Sequence, residues 1–423
     1  MSPAPGALAA YRPALRPRVL LSGPLLDGAA TVHLIKDAES GNSFKVGAKE
    51  HFLIARMDGE RSLAEIGEAY AGEYGRRLAD AHWQRLLALL GAKGLLSGAP
   101  GPKPDPASAP PKSASASAPP KSASASAPPK PAPASAPPKP APASAPPKPA
   151  PASAPPKPAP ASAPPEKRTL LRGSLPLVAD ADATTARLHR VCGFLLAPVV
   201  LVPLLGLVLA MEAVVVARSG DLLLAVKGLL TNPVLLTGTA VLLWVSTALH
   251  ELAHGVVARH HGGRVAEIGL RWRLPAVIMY CTVDDYLYLG TRRHRIATAA
   301  AGAVMNLVFL LPFCALWLFA PLDDATHEAF AALLLLGSVQ AFTMLVPLPP
   351  LDGYRIACQL AGATGLAASA GGYLRLALRR APEAAAYPRR ARIAYSVYAA
   401  VTVLVLAAAA AAVVAGVHHL LTA

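Results

Sequence analysis

Five long apolar runs dominate the C-terminal half of the chain. They cover about 191–216, 233–257, 297–320, 326–348 and 393–417. At ~1.5 Å per residue, each run is long enough to cross roughly 30 Å of hydrocarbon as an α-helix. The pattern predicts a multi-pass α-helical membrane protein with about five spans, so that a lipid bilayer surrounds this part of the chain.

The first hundred residues show a shorter and different pattern. Strands are predicted at 31–35 and 43–46, and helices at 48–57, after Ser62 and around 79–92. A turn signal, Glu39 to Asn42, separates the two strands. Ser62 and Glu65 have the spacing of a capping box at the start of the second helix. These elements predict a small α+β, winged-helix-like domain over 11–98.

A repetitive segment, 99–167, separates these two regions. It repeats SASASAPPK and then PAPASAPPK, with a lysine at every ninth position. Such a composition cannot bury a core and is typical of a disordered, extended polyproline II spacer. A docking ligand for proline-binding modules is the alternative. The third domain is then the membrane part, 187–423.

The charge pattern predicts the orientation of the spans. The net charge is +15, and arginines crowd the loop after the second span and the segment after the fourth. The loop between the third and fourth spans instead has acidic residues and no Lys or Arg. By the positive-inside rule, the N-terminal domain and the spacer are expected in the cytosol. The opening residues have no apolar core of a signal peptide, so none is expected.

The basic character of the chain does not indicate nucleic-acid binding. Much of the excess charge is arginine close to the predicted spans, which suits anionic lipid headgroups. The lysines of the repeat have no aromatic residues between them on which bases could stack. With 53% hydrophobic residues and a mean hydropathy of +0.41, the composition favours a membrane protein.

A histidine pair lies at the end of the second apolar run, in the sequence HELAH. His250 and His254 are four residues apart, so both imidazoles lie on one helix face and can ligate one zinc ion (Zn²⁺). Glu251 lies beside that metal and can take the proton from a water molecule. Ionisable side chains are costly inside a bilayer and are rarely kept there without a use. The motif indicates an intramembrane hydrolytic site, and a metal-free hydrogen-bonding pair is the alternative.

A carboxylate at the end of the fourth apolar run can complete this site. Two histidines leave zinc in need of a third protein ligand and an open position for water, and Asp352 in PLPPLDG supplies a suitable oxygen. The predicted orientation puts His250, His254 and Asp352 at the cytosolic ends of their helices, so all three reach the same depth. On its own, PPLDG would be an ordinary helix-ending turn.

Together with the sequence GAVMN at 302–306, these two motifs resemble the site-2 protease family of intramembrane zinc metalloproteases. The resemblance implies a role for each matching residue: zinc ligation by His250, His254 and Asp352, general-base catalysis by Glu251, and contact with substrate or transition state by Asn306.

One position departs from the family pattern. The family often has an asparagine eight residues before the aspartate of LDG, and this chain has Met344 there. The resemblance therefore implies no substrate-orienting hydrogen bond from that position, while the metal ligands are unaffected. For Asn306, a hydrogen bond between helices is the alternative.

The segment from Tyr280 to Tyr286 lies between the second and third spans. Proteolysis requires an extended peptide, and this segment is a candidate β-like edge that clamps one near the site. An ordinary cytosolic loop is the alternative.

The substrate prediction depends on the N-terminal domain. Residues 33–66 resemble the PqqD-like domains that bind leader peptides of ribosomally made, modified peptides. This resemblance implies capture of a precursor leader peptide and its maturation by the protease. Two other functions stay open: regulated intramembrane proteolysis of a transmembrane signalling protein, or a non-catalytic, zinc-containing export-accessory or binding protein. A winged-helix domain with another ligand is the alternative for 11–98.

Overall fold

The computed structural model describes residues 8–97, 172–273 and 276–422. Within these ranges, 8–78 and 172–422 form one compact unit, and 79–97 belong to a second. The repeat at 99–167 lies outside the described residues, so its disorder and its spacer role stay predictions.

A small antiparallel sheet opens the described chain. Its strands are β1 (Val19–Leu21), β2 (Leu25–Asp27), β3 (Ala30–Asp37) and β4 (Ser43–Gly47). The longest strand, β3, pairs with each of the other three. The two predicted strands are confirmed as β3 and β4. Strands β1 and β2 are additional, because three residues are too few to show an alternating pattern.

Three helices follow this sheet at the predicted places: α1 (Ala48–Ile54), α2 (Leu63–Tyr74) and α3 (Asp80–Ala92). The capping box of α2 is confirmed, because Ser62 Oγ accepts from the Glu65 amide while the Ser62 amide donates to the Glu65 carboxylate. Helix α1 ends before the predicted residue 57, since the chain turns there toward Gly59, whose φ is +86°. The winged-helix-like assignment of this region stays a prediction.

A stacked histidine pair makes the stability of residues 8–78 depend on pH. The rings of His33 and His51 stack with centroids 3.6 Å apart. Burial, and then the positive charge of His33 and Arg56, lowers the pKa of His51 from 6.5 to about 4. In the unfolded chain His51 binds a proton near its ordinary pKa, so protons favour unfolding. The contribution of neutral His51 is therefore present above pH 6.5 and is lost as the pH falls from 6.5 toward about 4.

We expect proteolysis of residues 8–78 to be faster at about pH 5 than at about pH 7.5, in the full chain with a pH-tolerant protease. The substitution His51→Gln should flatten this dependence, because it removes the titrating group. The exposed His82 provides the control, since His82→Gln should leave the dependence as it is. An equal effect of both substitutions would contradict the prediction.

The rest of the described chain is mainly helical. In chain order its helices are α4 (Ala181–Cys192), α5 (Pro198–Ala217), α6 (Ser219–Leu229), α7 (Pro233–His260), α8 (Arg292–Phe319), α9 (Asp324–Met344), α10 (Asp352–Ala361), α11 (Leu366–Leu378) and α12 (Arg389–Thr422). Five of these, α5, α7, α8, α9 and α12, are long and apolar enough to cross a membrane. The five predicted apolar helices are thus confirmed in number and approximate place, and they fit a multi-pass membrane protein. The first starts later than predicted, because Pro198 begins α5 after a short 3₁₀ turn, Gly193–Leu196.

The bundle has an apolar interior and an apolar outer surface. Leu222, Leu310 and Leu333 are fully buried where α6, α8 and α9 pack together. On α12, by contrast, apolar side chains such as Leu404 are 70% exposed. Apolar groups on an outer surface suit lipid rather than water, because acyl chains have no hydrogen bonds to lose.

A second antiparallel sheet lies against α7. Its strands are β5 (Arg172–Pro176), β6 (Arg264–Arg273) and β7 (Ala276–Asp284), in the order β5-β6-β7. The segment predicted as a β-like edge, Tyr280 to Tyr286, includes the end of β7 and the turn after it. Among the described strands β7 pairs only with β6, and backbone groups of its other edge bond to side chains of α7.

Candidate metal centre

Three buried side chains from distant parts of the sequence meet at one point. Nε2 of His250 lies 3.0 Å from Oδ2 of Asp352, and Nε2 of His254 lies 3.1 Å from the same oxygen. The two Nε2 atoms are 3.2 Å apart. The exposed fractions of His250, His254 and Asp352 are 4%, 3% and 6%. Among the described residues, these three side chains form a group whose ligand atoms are close enough together to hold one metal ion.

The spacing and chemistry of these atoms fit zinc. Bonds of ~2.0–2.1 Å at tetrahedral angles place two ligand atoms about 3.3 Å apart, close to the 3.0–3.2 Å separations found here. Two imidazole nitrogens and one carboxylate oxygen form a common catalytic zinc set, which leaves a fourth position open. Burial raises the pKa of Asp352, but hydrogen bonding to His250 and then His254 outweighs it and lowers that pKa. The carboxylate is therefore ionised at neutral pH, as a ligand must be.

Helix α8 fixes the orientation of His254 through a backbone group. Nδ1 of His254 donates to the carbonyl oxygen of Thr298 at 2.7 Å. A carbonyl oxygen only accepts, so Nδ1 carries a proton and Nε2 points to the ligand cluster, where its lone pair would bind a metal once Nε2 is deprotonated. Outer-shell bonds of this kind hold metal-binding histidines in place and raise their basicity.

Close packing holds the other imidazole. A Cβ atom added at Gly302 would lie 2.5 Å from Cε1 and Nε2 of His250. The ring of His250 therefore fills the space that any larger residue at 302 would occupy. Its Nδ1 atom is buried and has no hydrogen-bond partner within the described chain, so packing takes the role that a hydrogen bond has at His254.

Asn306 lies one turn of α8 beyond Gly302. Its Oδ1 accepts a hydrogen bond from Ser246 Oγ at 3.0 Å, and Ser246 lies one turn before His250 on α7. The Nδ2 group of Asn306 has no partner among the described residues, although the side chain is only 1% exposed. An unpaired buried amide is costly, so the site has a donor free to bind another molecule.

Strand β7 holds Glu251. The amide of Cys281 donates to Oε2 of Glu251 at 3.1 Å. Burial, and then the Glu251 carboxylate, raises the pKa of the Cys281 thiol to about 12. The thiol is thus neutral at pH 7 and does not compete as a thiolate ligand. The backbone of β7, rather than a side chain, orients the carboxylate.

The loop before Asp352 is tightly closed. A Cβ atom at Gly353 would collide with the carbonyl oxygen of Leu345, so only glycine fits there. Tyr398 of α12 donates to the carbonyl oxygen of Pro347 at 2.9 Å. These contacts fold the prolines of PLPPLDG back on the end of α9 and place Asp352 at the first position of α10. Met344 is the last residue of α9 and is half-buried.

The structure brings together the residues that the motifs indicated. His250, His254 and Asp352 converge, and Glu251 follows His250 on α7. Asn306 lies on α8, one turn beyond the Gly302 that contacts His250. Two contributors were not recognised from the sequence: the Thr298 carbonyl and the Cys281 amide. Both act through the backbone, which has no signal in residue type. The role of Gly302 had a signal, since it is four residues before Asn306 and thus on the same helix face.

Comparison with known proteins supports the motif assignment. Residues 238–323 match the family described as Peptidase family M50. No curated protein and no solved structure matches the chain. The matched residues contain both histidines, Glu251 and Asn306, whereas Asp352 lies beyond them. The family match implies an intramembrane metalloprotease that depends on zinc, consistent with the five apolar helices.

Proposed function

We propose that this protein is a zinc metalloprotease that hydrolyses peptide bonds of membrane-proximal peptides or proteins. The observation that carries the proposal is the convergence of three potential ligands, since Nε2 of His250, Nε2 of His254 and Oδ2 of Asp352 lie within 3.2 Å of one another. Glu251 is the neighbour of His250 on α7. The family match over 238–323 supports the same chemistry.

The roles of the residues follow from their geometry. When bound, zinc supplies Lewis-acid polarisation of the scissile carbonyl and acidification of a water molecule. Glu251, held by the Cys281 amide, takes a proton from the attacking water and delivers it to the leaving amine. The free Nδ2 group of Asn306 donates to the carbonyl oxygen as negative charge develops there. Asp352 and the two histidines hold the metal.

Replacement of Asn306 tests the donor role. We expect Asn306→Ala to lower kcat by about 10²-fold, the usual cost of losing one oxyanion donor, with zinc content unchanged. Ser246→Ala is the matched control, because it removes the partner of Oδ1 but leaves the free Nδ2 donor. Equal losses in both variants would indicate that Asn306 only joins two helices. Steady-state kinetics on a cleaved peptide provide the measurement.

The outer edge of β7 offers a place for an extended substrate. Trp244 donates to the carbonyl oxygen of Val277 at 3.1 Å, and the Cys281 amide contacts Glu251, so the unpaired edge runs alongside α7 toward the site. An extended peptide held beside this edge would have its carbonyl groups accessible, unlike those of a helix. This placement supports the prediction of a clamp at Tyr280 to Tyr286.

For the substrate itself, the proposal is a ribosomally made precursor peptide whose leader binds the N-terminal region, 11–98. It rests on the PqqD-like resemblance of residues 33–66. Nucleic acid is not a proposed partner. We place the N-terminal region and the spacer in the cytosol, where the arginine-rich span ends would also lie. Regulated cleavage of a transmembrane signalling protein is the competing substrate class.

Metal removal separates a catalytic from a structural zinc. We expect purified protein to contain one zinc per chain, and a chelator to abolish cleavage without unfolding the bundle, since α5, α6, α8 and α9 pack through a buried apolar cluster of their own. Zinc should restore activity. Metal analysis, activity and thermal unfolding are measured on the same samples, with His254→Ala as the variant that loses zinc. Unfolding upon chelation would favour the non-catalytic export-accessory or binding protein.

A further inference from the structure

The β2–β3 hairpin is attached, through Leu26 of β2, to the end of the helix that carries Asp352. The amide of Leu26 donates to the carbonyl oxygen of Gly362 at 2.7 Å, and the amide of Thr364 donates back to Leu26 at 2.9 Å. This is a parallel bridge between Leu26 and Ala363. Asp352 begins α10 and Gly362 caps its end, so the bridge holds the end of α10 opposite to the ligand.

The Leu26 side chain adds an apolar contact at the same place. It is 4% exposed and packs in a cluster with Leu366, Ala391 and Tyr395 of the following helices. Tyr354, two residues after Asp352, packs against this cluster as well. An apolar side chain buried this completely is anchored by roughly 1.5–3 kcal/mol of transfer free energy.

Helix α12 forms a second connection between the same hairpin and the Asp352 loop. Tyr395 donates to the carbonyl oxygen of Gly28 at 2.7 Å. Tyr398, on the same helix, donates to Pro347, which lies five residues before Asp352. One rigid helix therefore contacts the hairpin turn with one tyrosine and the PLPPLDG loop with the other.

A third contact reaches the strand that holds Glu251. Lys36 of β3 forms an ion pair with Asp285 at 2.7 Å, directly after the end of β7. Arg295 joins this loop to α10, because it donates to Leu287 and Leu289 and also to Gln359. Residues 8–78 thus contact both elements that complete the site beside α7 and α8.

We propose that the β2–β3 hairpin is a positioning element for the metal centre, with Leu26 of β2 as its central contact residue. Docked on α10, α11 and α12, it holds α10 and the PLPPLDG loop so that Asp352 reaches the two histidines. Displacement of the hairpin lowers zinc affinity and turnover. The effect on turnover rests on the proposed protease function, whereas the effect on α10 does not.

The experiment compares three variants of the full chain with the wild type. Leu26→Asp places a carboxylate in the apolar cluster, and Tyr395→Phe removes the hydroxyl that bonds to Gly28 and contacts Ser369, with the ring retained. Ala38→Asp is the matched control, because it adds the same carboxylate at an exposed position of the β3–β4 turn. Hydrogen exchange of residues 353–364, zinc affinity against a competing chelator, and kcat and KM for a cleaved peptide are measured for each.

For Leu26→Asp we expect hydrogen exchange over 353–364 to become at least about fivefold faster than in the wild type. We also expect zinc binding to weaken by at least about fivefold, and kcat to fall by a comparable factor while KM is unchanged. Tyr395→Phe should change these quantities in the same direction by less, and it keeps the test valid if Leu26→Asp does not fold. Ala38→Asp should behave as the wild type. Unchanged exchange of α10 in both docking variants would overturn the proposal, as would faster exchange with zinc affinity unaltered. If the wild type binds zinc but cleaves no peptide, the protease function fails while exchange and zinc affinity still decide the positioning role.

Discussion

Replacement of Glu251 by glutamine is expected to abolish cleavage while zinc stays bound. The carboxylate is not one of the three converging ligands, and its Oε2 is held by the Cys281 amide. A glutamine has nearly the same shape but cannot take a proton from water. We therefore expect kcat to fall by at least about 10²–10⁴-fold, the usual contribution of a general base. Metal analysis and kinetics of the purified variant provide the measurement.

The exposed Glu328 at the start of α9 supplies the matched control. Glu328→Gln makes the same chemical change away from the cluster and should retain full activity. Persistent cleavage by Glu251→Gln would exclude Glu251 as the base. The same variant also tests the substrate proposal, because the uncleaved substrate should accumulate in membranes. Accumulation of a transmembrane signalling protein, rather than a precursor peptide, would support regulated intramembrane proteolysis instead.

Addition of one methyl group at Gly302 is expected to destroy the metal centre. The Cβ of Gly302→Ala would lie 2.5 Å from the His250 ring, well below van der Waals contact. Either the ring moves away from Asp352 and His254, or α7 and α8 separate. We expect zinc affinity to fall by at least about 10²-fold, since loss of a ligand orientation typically costs 10–100-fold or more. Cleavage should disappear with it.

The control for this substitution is Gly238→Ala on α7, where no atom lies within 4 Å of the added Cβ. Alanine favours a helix over glycine by about 0.5–1 kcal/mol, so Gly238→Ala should be neutral or slightly stabilising. Alanine has the same helix preference at position 302, so the two substitutions differ only in the clash with His250. Full zinc content and activity in Gly302→Ala would show that the contact with His250 does not hold the ring.

The elements of the membrane part followed from local pattern. Runs of apolar residues as long as a bilayer is thick can satisfy their backbone groups only as helices, so the five long helices were predictable, although the first begins at Pro198 rather than at 191. The capping box at Ser62 was predictable for a similar reason, because it involves residues three apart. Strands β1 and β2 were not, since three residues show no periodicity and both depend on pairing with β3.

The candidate site divides in the same way. The spacing of His250 and His254 within one helix determines that their side chains share a face, whatever surrounds them. The place of Asp352 is not local, because 98 residues separate it from His254. Family resemblance indicated it as a ligand, but its distance of 3.1 Å from His254 depends on the closed PLPPLDG loop and its contact with α12.

The sequence by itself thus determined the long apolar helices and the shared face of the histidine pair, and its motifs predicted Glu251 as the base and zinc-dependent hydrolysis as the chemistry. Only the tertiary structure decided what holds these groups: the Thr298 carbonyl on His254, the Gly302 surface under His250 and the Cys281 amide on Glu251. It also decided that the β2–β3 hairpin docks beside α10. The physical reason is that side-chain type and spacing encode local geometry, whereas backbone groups are the same in every residue and gain a role only from the packing of distant segments.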